Sequence, residues 1–178
     1  IRIFAGDMEE DLVYKQVKNR LENQNPDIRM LVNAAGFGKT GTVEEIAKED
    51  KKLQLRMIDL NCRGLTEMTC TCLPWMHKGT RIVNLASAAA FCPQANFAVY
   101  AATKAYVLSF SRSLAAELKE KGISVTAVCP GPVDTPFFEV SGKLTGGMKE
   151  AVMADPVQVV KQALIDAKYK KEVSVYGI

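Results

Sequence analysis

A serine, a tyrosine and a lysine follow one another in the middle of the chain, at Ser87, Tyr100 and Lys104. The spacing of Tyr100 and Lys104 puts both side chains on one face of a predicted helix. A free tyrosine has a pKa of about 10 and is a poor acid or base at neutral pH. A nearby ammonium group and the positive N-terminal end of a helix both favour the phenolate, so we expect a lowered pKa for Tyr100. Ser87 can hydrogen-bond a substrate oxygen and hold it for protonation.

The tyrosine–lysine spacing is weak as a signal by itself, because Tyr14 and Lys18 repeat it. We interpret that second pair as the solvated face of an ordinary amphipathic helix. Tyr100 differs because a strand-end serine and a loop of small residues precede it. A motif of this kind needs such a structural context before it indicates chemistry.

The elements that would position these residues alternate between short apolar runs and helical patterns. Such alternation predicts an α/β fold with a mainly parallel sheet, built as a single domain over residues 1–178. A capping box at 42–45 starts a short helix. The predicted strands are 1–5, 28–35, 80–86, 123–129 and 173–176, and the main predicted helices are 11–21, 50–77, 97–121 and 157–167.

Composition excludes several classes of protein. The net charge of +3 is small and the charges are interleaved, which argues against a nucleic-acid partner. No apolar run approaches the length of about 20 residues that a membrane span needs. The chain has five cysteines without a paired spacing and one histidine, so we expect no metal site and reduced thiols in a cytoplasmic protein. We interpret His77 as an exposed residue at a helix end.

Several short motifs meet at predicted strand ends, where open α/β sheets bind their ligands. With these motifs, which occur in the family's order and spacing, the chain resembles the short-chain dehydrogenase/reductases over nearly its whole length. The resemblance implies a Rossmann-like, doubly wound parallel sheet and NAD(P)-dependent oxidation of an alcohol or reduction of a ketone. The motifs are LVNAAG at 31–36, IDLNCRG at 58–64, RIVNLAS at 81–87, YAATK at 100–104 and CPGPVDT at 129–135.

The resemblance also assigns roles to individual residues. Tyr100 is then the catalytic acid and base, Ser87 orients the carbonyl, Lys104 tunes the tyrosine and binds the nicotinamide ribose, and Asn61 helps to hold a water. Each of three residues also has a purely structural alternative. Asn61 can stabilise a helix kink, Thr135 can cap a turn, and Asp7 can cap the helix that follows. Ala34 departs from the family's usual second asparagine. The implied cofactor-binding residues are Asp7, Asn33, Ala35, Gly36, Tyr100, Lys104, Pro130, Gly131 and Thr135.

The glycine-rich loop with which the family usually binds the dinucleotide phosphates has no counterpart in this sequence. We therefore expect an N-terminally incomplete domain that lacks the first β-α-β unit and is shortened at its C-terminus. The residue that selects NAD or NADP is missing with that unit, so the choice is not readable, although the family slightly favours NADP.

The stretch after Thr135 is apolar and matches the family's substrate loop. It favours a hydrophobic carbonyl or alcohol substrate, weakly of the hydroxysteroid or long-chain ketoacyl type, although packing of a lid is an equal alternative. The apolar faces of 97–121 predict a homodimer or homotetramer. The main rival function is a non-catalytic binding or regulatory module, or an inactive fragment, and an epimerase or dehydratase is disfavoured by the short C-terminal region. The apolar residues are Phe137, Phe138, Val140, Leu144, Met148 and Met153, together with Phe91 and Phe97.

Overall fold

The computed structural model describes residues 3–137, 141–142 and 153–177. Within these residues, four strands form one sheet in the order in which they occur along the chain. Each neighbouring pair is parallel. The α/β class and the parallel sheet are therefore confirmed. The strands are β1 (Ile28–Asn33), β2 (Met76–Leu85), β3 (Ser124–Pro130) and β4 (Val173–Tyr176).

Helices connect the strands, and two of them begin with side-chain caps. The Oγ1 of Thr42 accepts a hydrogen bond from the Glu45 backbone N–H at 3.1 Å, and the Glu45 carboxylate accepts one from the Thr42 N–H at 2.8 Å. This is the predicted capping box. Asp155 caps the last helix through the Val157 N–H at 2.9 Å. The helices are α1 (Asp11–Gln24), α2 (Val43–Glu49), α3 (Leu53–Ile58), α4 (Leu65–Cys72), α5 (Ala98–Leu118) and α6 (Pro156–Lys168), with a π-helical turn at Asp59–Gly64 and 3₁₀ turns at Leu73–Trp75 and Ala88–Phe91.

Helices cover both faces of the sheet, which makes the fold doubly wound. Adjacent residues of a strand point to opposite faces. Ile82 of β2 packs in a cluster with Leu114 of α5, whereas its neighbour Val83 packs in another cluster with Ala163 of α6. The sheet is thus held between α5 on one side and α6 on the other, and its strand ends are left open for a site.

Three local predictions were wrong. Residues 3–5 form no strand, and Ile3 is 86% exposed. A strand needs a neighbour for its backbone groups, and no described strand lies beside these residues. His77 is exposed as predicted, but it lies in β2 rather than at a helix end, because the chain passes directly from the 3₁₀ turn that contains Pro74 into the strand. Tyr14 is buried, with its hydroxyl donating to the Met8 carbonyl at 2.5 Å, and does not lie on a solvated face.

In the part of the chain that the structure describes, no helix combines the length and the apolar character that crossing a membrane requires. The same residues contain no group of three or more histidine, cysteine or acidic side chains suited to a metal ion.

Candidate active site

A cavity of about 380 Å³ opens beside the carboxyl ends of β2 and β3, where the sheet geometry predicts a site. Residues from β2, from α5 and from the segment after β3 meet at its wall. The parallel strands bring these residues together because their ends lie at one edge of the sheet. The wall includes these predicted site residues: Gly36, Ser87, Tyr100, Lys104, Pro130, Gly131 and Thr135.

Ser87 comes two residues after the end of β2, in extended backbone. Its Oγ accepts a hydrogen bond from the Ala89 backbone N–H at 3.1 Å, which caps the short 3₁₀ turn that follows. The Ser87 side chain also interacts with Tyr100 and acts to lower the pKa of its phenol. The backbone therefore orients the serine, whose side chain lies near Tyr100.

Tyr100 is 8% exposed and lies on the first turn of α5. Its ring stacks on Phe97, with centroids 4.2 Å apart, and lies 5.5 Å from the ring of Phe137. Gly38 closes the remaining edge, since a Cβ at this position would come within 2.9 Å of Tyr100 and of Phe137. The Tyr100 ring is thus enclosed by aromatic side chains, and its hydroxyl lies near Ser87.

Burial raises the pKa of Tyr100, and the hydrogen bond with Ser87 acts in the opposite direction. The sequence-based expectation of a lowered pKa is therefore not met in this structure. The expectation considered the charge of Lys104 but not the desolvation of Tyr100 and Lys104, and desolvation raises the pKa of the phenol. At neutral pH, the phenol keeps its proton.

Lys104 is buried, and its Nζ donates to the Leu85 carbonyl at 2.7 Å. This carbonyl belongs to the last residue of β2, so the lysine ties α5 to the strand end. The Nζ lies 5.6 Å from the centre of the Tyr100 ring. Desolvation lowers the pKa of Lys104 to about 8. The ammonium still predominates at neutral pH, although less completely than in water.

Asn61 lies in the π-helical turn between α3 and α4, so its place at a kink is confirmed. Its amide is paired twice with the Phe37 backbone, accepting from the N–H at 3.0 Å and donating to the carbonyl at 2.9 Å. It also donates to Thr103 of α5 at 3.0 Å. Asn61 thus fastens the loop after β1 to α5, and it does not line the cavity.

Gly36 explains why this loop approaches so closely. A Cβ on Gly36 would lie 2.8 Å from the Asn61 Oδ1 and 3.5 Å from the Lys104 Nζ. A distance of 2.8 Å is shorter than a carbon–oxygen contact allows, so a side chain here would displace the asparagine. The glycine therefore keeps Asn61 and Lys104 in their positions.

Three predicted cofactor residues, Asp7, Asn33 and Ala35, lie away from the cavity wall. The Asn33 amide donates to Asn84 at 2.8 Å and to a buried threonine of α4 at 3.0 Å, so it links β1 to the core. The Asp7 carboxylate accepts from the Glu9 N–H at 2.8 Å in an exposed turn before α1. The roles of these three residues in cofactor binding stay predictions.

The segment after β3 supplies the opposite wall. The Gly131 N–H donates to the Tyr176 carbonyl at 2.8 Å. A Cβ on Gly131 would meet the Gly177 carbonyl oxygen at 1.9 Å, so only glycine fits beside β4. Thr135 makes a long hydrogen bond of 3.5 Å to the Val133 carbonyl, which is typical of a turn residue. Both residues also line the cavity.

Sequence reasoning missed part of the wall. Gln94 precedes α5 in the loop between Ser87 and Tyr100, and only its polarity within an apolar loop could have drawn attention to it. The N-terminal end of α6 also contributes to the wall. Among the predicted substrate-loop residues, Phe97 and Phe137 line the wall, Phe91 and Met153 do not, and 138, 140, 144 and 148 lie outside the described residues. The missed residues of the wall include Gln94, Pro156, Val159 and Val160.

Comparison with known proteins agrees with this geometry. The family model described as short chain dehydrogenase matches residues 1–143. Dehydrogenase/reductase SDR family member 6 of Rattus norvegicus is 33% identical over 147 residues, which cover 81% of this chain and 59% of that protein. Serine 3-dehydrogenase of Agrobacterium fabrum is 39% identical over 127 residues, covering 70% of this chain and 49% of that protein.

Among solved structures, a short-chain dehydrogenase from Sphingobium yanoikuyae in complex with NADPH is similar, with a TM-score of 0.80 and 27% identity. The match covers 97% of this chain and 66% of that one. The chain spans about half the length of the curated relatives that it matches. The structural similarity therefore covers nearly the whole fold described above.

Proposed function

Because this chain belongs to the short-chain dehydrogenase/reductase family, we propose that its protein transfers a hydride between a nicotinamide dinucleotide and the carbonyl or alcohol carbon of a mainly apolar substrate. The observation that carries the proposal is the meeting of Ser87, Tyr100 and Lys104 at one cavity. A hydroxyl, a buried phenol and a buried ammonium together suit proton transfer to an oxygen atom.

The raised pKa of Tyr100 decides its role in reduction. A neutral phenol donates its proton to the carbonyl oxygen as that oxygen gains negative charge. Ser87 donates a hydrogen bond to the same oxygen and fixes its position. In oxidation the steps reverse: Tyr100 must first lose its own proton, and the phenolate then accepts the alcohol proton as the hydride leaves the carbon. Lys104 places a positive charge near the ring and stabilises the phenolate that this cycle forms.

The cavity residues fit the nicotinamide end of the cofactor. When bound, a nicotinamide dinucleotide supplies or accepts the hydride. Small residues leave room at the wall for a flat ring, namely Ala34, Gly36 and Gly131. Lys104 and Thr135 can donate hydrogen bonds to a ribose or an amide. The cofactor is NAD or NADP, and NADP is favoured by the family and by the NADPH in the Sphingobium relative.

The substrate is proposed from the character of the wall. Apart from the catalytic groups, the wall consists mostly of aliphatic and aromatic side chains, which favours a bulky hydrophobic ketone or alcohol. Of the relatives reported above, one is named for serine and the other two names give no substrate, so the names do not choose one. The apolar side chains include Phe97, Phe137, Val133, Val159 and Val160.

A homodimer or homotetramer is the proposed assembly. Tyr106 and Phe110 of α5 stack with centroids 5.9 Å apart, and Tyr106 is 41% exposed. The Tyr106 hydroxyl is held by Thr66 of α4 at 2.8 Å, so the ring has a fixed place on the outer face of these helices. A second copy would bury this face. The proposed compartment is the cytoplasm, which the five unpaired cysteines favour.

The test is made on the full-length protein that carries this chain. Binding of NADH and NADPH is measured first, followed by oxidation of each in the presence of a panel of ketones. The proposal predicts turnover that Tyr100→Phe abolishes while cofactor binding remains. Tight cofactor binding without turnover of any ketone would contradict the proposal and favour a non-catalytic binding module.

A further inference from the structure

Gln94 contributes a polar group to the cavity that no part of the proposed reaction uses. Its side chain is half-buried and makes no hydrogen bond to any residue in the described part of the chain. The amide can both donate and accept. Among the other polar side chains of the wall, Ser87, Lys104 and Thr135 are already hydrogen-bonded within the chain, and Tyr100 interacts with Ser87.

The backbone on both sides of Gln94 is fixed. The Phe97 N–H donates to the Gln94 carbonyl at 3.3 Å and closes a turn before α5. The Asn96 carbonyl accepts from the Gly41 N–H at 2.9 Å, which ties this turn to the loop after β1. Gln94 is therefore presented at the wall by an anchored turn.

The surroundings of the amide are mostly apolar. Pro132, Val133, Phe137 and Val160 share the wall with it. A substrate that fills this cavity removes water from the amide, and an amide that loses water without gaining a partner is costly. A substrate with a polar group at the matching position avoids that cost.

We propose that Gln94 is a specificity-determining residue whose side-chain amide hydrogen-bonds a second polar group of the substrate, such as a hydroxyl or carbonyl remote from the reacting carbon. The preferred substrate is then a largely apolar ketone or alcohol with a distal oxygen, rather than a pure hydrocarbon skeleton. This inference rests on the proposed function, because it places the substrate in the cavity of Ser87 and Tyr100.

The test compares benzylacetone with its para-hydroxyphenyl analogue, and further matched pairs that carry the hydroxyl at other positions. Wild type, Gln94→Leu and Gln94→Glu are measured in the full-length protein with saturating NADPH. Gln94→Leu removes both hydrogen-bonding groups at similar size, whereas Gln94→Glu keeps the acceptor oxygen. We expect Gln94→Leu to lower the kcat/KM preference for the hydroxylated ketone about three- to tenfold, mainly through KM. Gln94→Glu retains most of that preference.

Equilibrium binding of the same ketones is also measured by calorimetry, in Tyr100→Phe proteins with and without Gln94→Leu. This measurement separates the two proposals. Turnover with equal preferences in wild type and Gln94→Leu overturns the inference and leaves the proposed function standing. Absence of turnover, together with weaker binding of the hydroxylated ketone by Gln94→Leu, supports the inference and overturns the proposed function. Absence of both ketone binding and turnover overturns both.

Discussion

The same tyrosine–lysine spacing occurs in α1 and in α5, and the two pairs have different surroundings. Tyr14 is 3% exposed, and its hydroxyl is taken up by the Met8 carbonyl, while Lys18 is mostly exposed and lies 3.9 Å from Glu22. Tyr100 is also buried, at 8% exposed, but it lines a cavity.

The lysines differ even more than the tyrosines. Lys104 is buried with its Nζ on the Leu85 carbonyl, whereas the side chain of Lys18 is 61% exposed. A charge in water interacts weakly with its neighbours, whereas a buried charge interacts strongly. Chemistry at this spacing therefore needs an accessible phenol oxygen and a desolvated ammonium, and only the pair in α5 has both.

The largest expected effect is a loss of catalytic activity when the hydroxyl of Tyr100, but not that of Tyr14, is removed. Tyr100→Phe removes the proton donor and should lower kcat for ketone reduction by about a hundredfold to ten-thousandfold. Tyr14→Phe should retain wild-type activity, since its hydroxyl faces the Met8 carbonyl and not the cavity. Steady-state NAD(P)H oxidation by the full-length protein checks both. Equal losses in the two variants would show that the cavity does not distinguish the pairs.

The second prediction concerns the buried ammonium and the pH dependence of stability. The folded-state pKa of Lys104 is about 8, below its ordinary value of 10.5. Between these two pH values the unfolded chain binds more protons, so Lys104 makes the protein more stable as the pH rises. The free energy of unfolding of wild type minus that of Lys104→Met should rise by up to about 3 kcal/mol across this window.

Urea denaturation of both proteins at several pH values measures this difference. Contributions from the other titrating groups that the two proteins share largely cancel when one value is subtracted from the other. As a control, Lys18→Met should change stability at neutral pH by less than about 1 kcal/mol, as exposed ion pairs do. A difference between wild type and Lys104→Met that stays constant with pH would contradict the desolvation of Lys104.

The third prediction uses the glycine that faces each tyrosine. A Cβ on Gly38 would come within 2.9 Å of the Tyr100 ring, and one on Gly64 would lie 3.0 Å from the Tyr14 hydroxyl. Gly38→Ala should displace the Tyr100 ring and lower kcat about tenfold or more. Gly64→Ala should leave kcat unchanged, because it disturbs only the structural tyrosine. Kinetics with matched melting curves would test this, and wild-type kcat in Gly38→Ala would refute the tight enclosure of Tyr100.

Much of the fold could be predicted because it depends on local patterns. Apolar runs fixed most strands, and reciprocal Thr42 and Glu45 side chains marked a helix start. Ser87 and Pro130 meet at one cavity because each lies at the carboxyl end of a parallel strand, which the alternation of elements implies. The strand predicted at 1–5 failed because strand formation also depends on a neighbour, and periodicity does not reveal one.

The rest of the site depends on burial, which spacing does not determine. Burial raises the pKa of Tyr100, whose ring contacts Phe97 and Phe137. The contact with Phe137 joins segments that lie far apart in the sequence. Asn33 turns inward because β1 pairs with β2 and places Asn84 opposite. Tyr14 and Tyr100 share the tyrosine–lysine spacing, and the burial of Tyr14 could not be inferred from that spacing.

The smallest expected effect is on the stability of the structural pair. Tyr14→Phe removes the hydrogen bond to the Met8 carbonyl and should lower the free energy of unfolding by about 1 kcal/mol at neutral pH. Burial raises the pKa of Tyr14 above its ordinary value of 10.0, so the stability that its protonated hydroxyl contributes is complete below pH 10 and is lost as the pH rises further. The deficit of Tyr14→Phe in urea denaturation should therefore shrink above that pH. A deficit that grows with pH would instead mean that Tyr14 ionises more readily in the folded protein, which its burial against Met8 opposes.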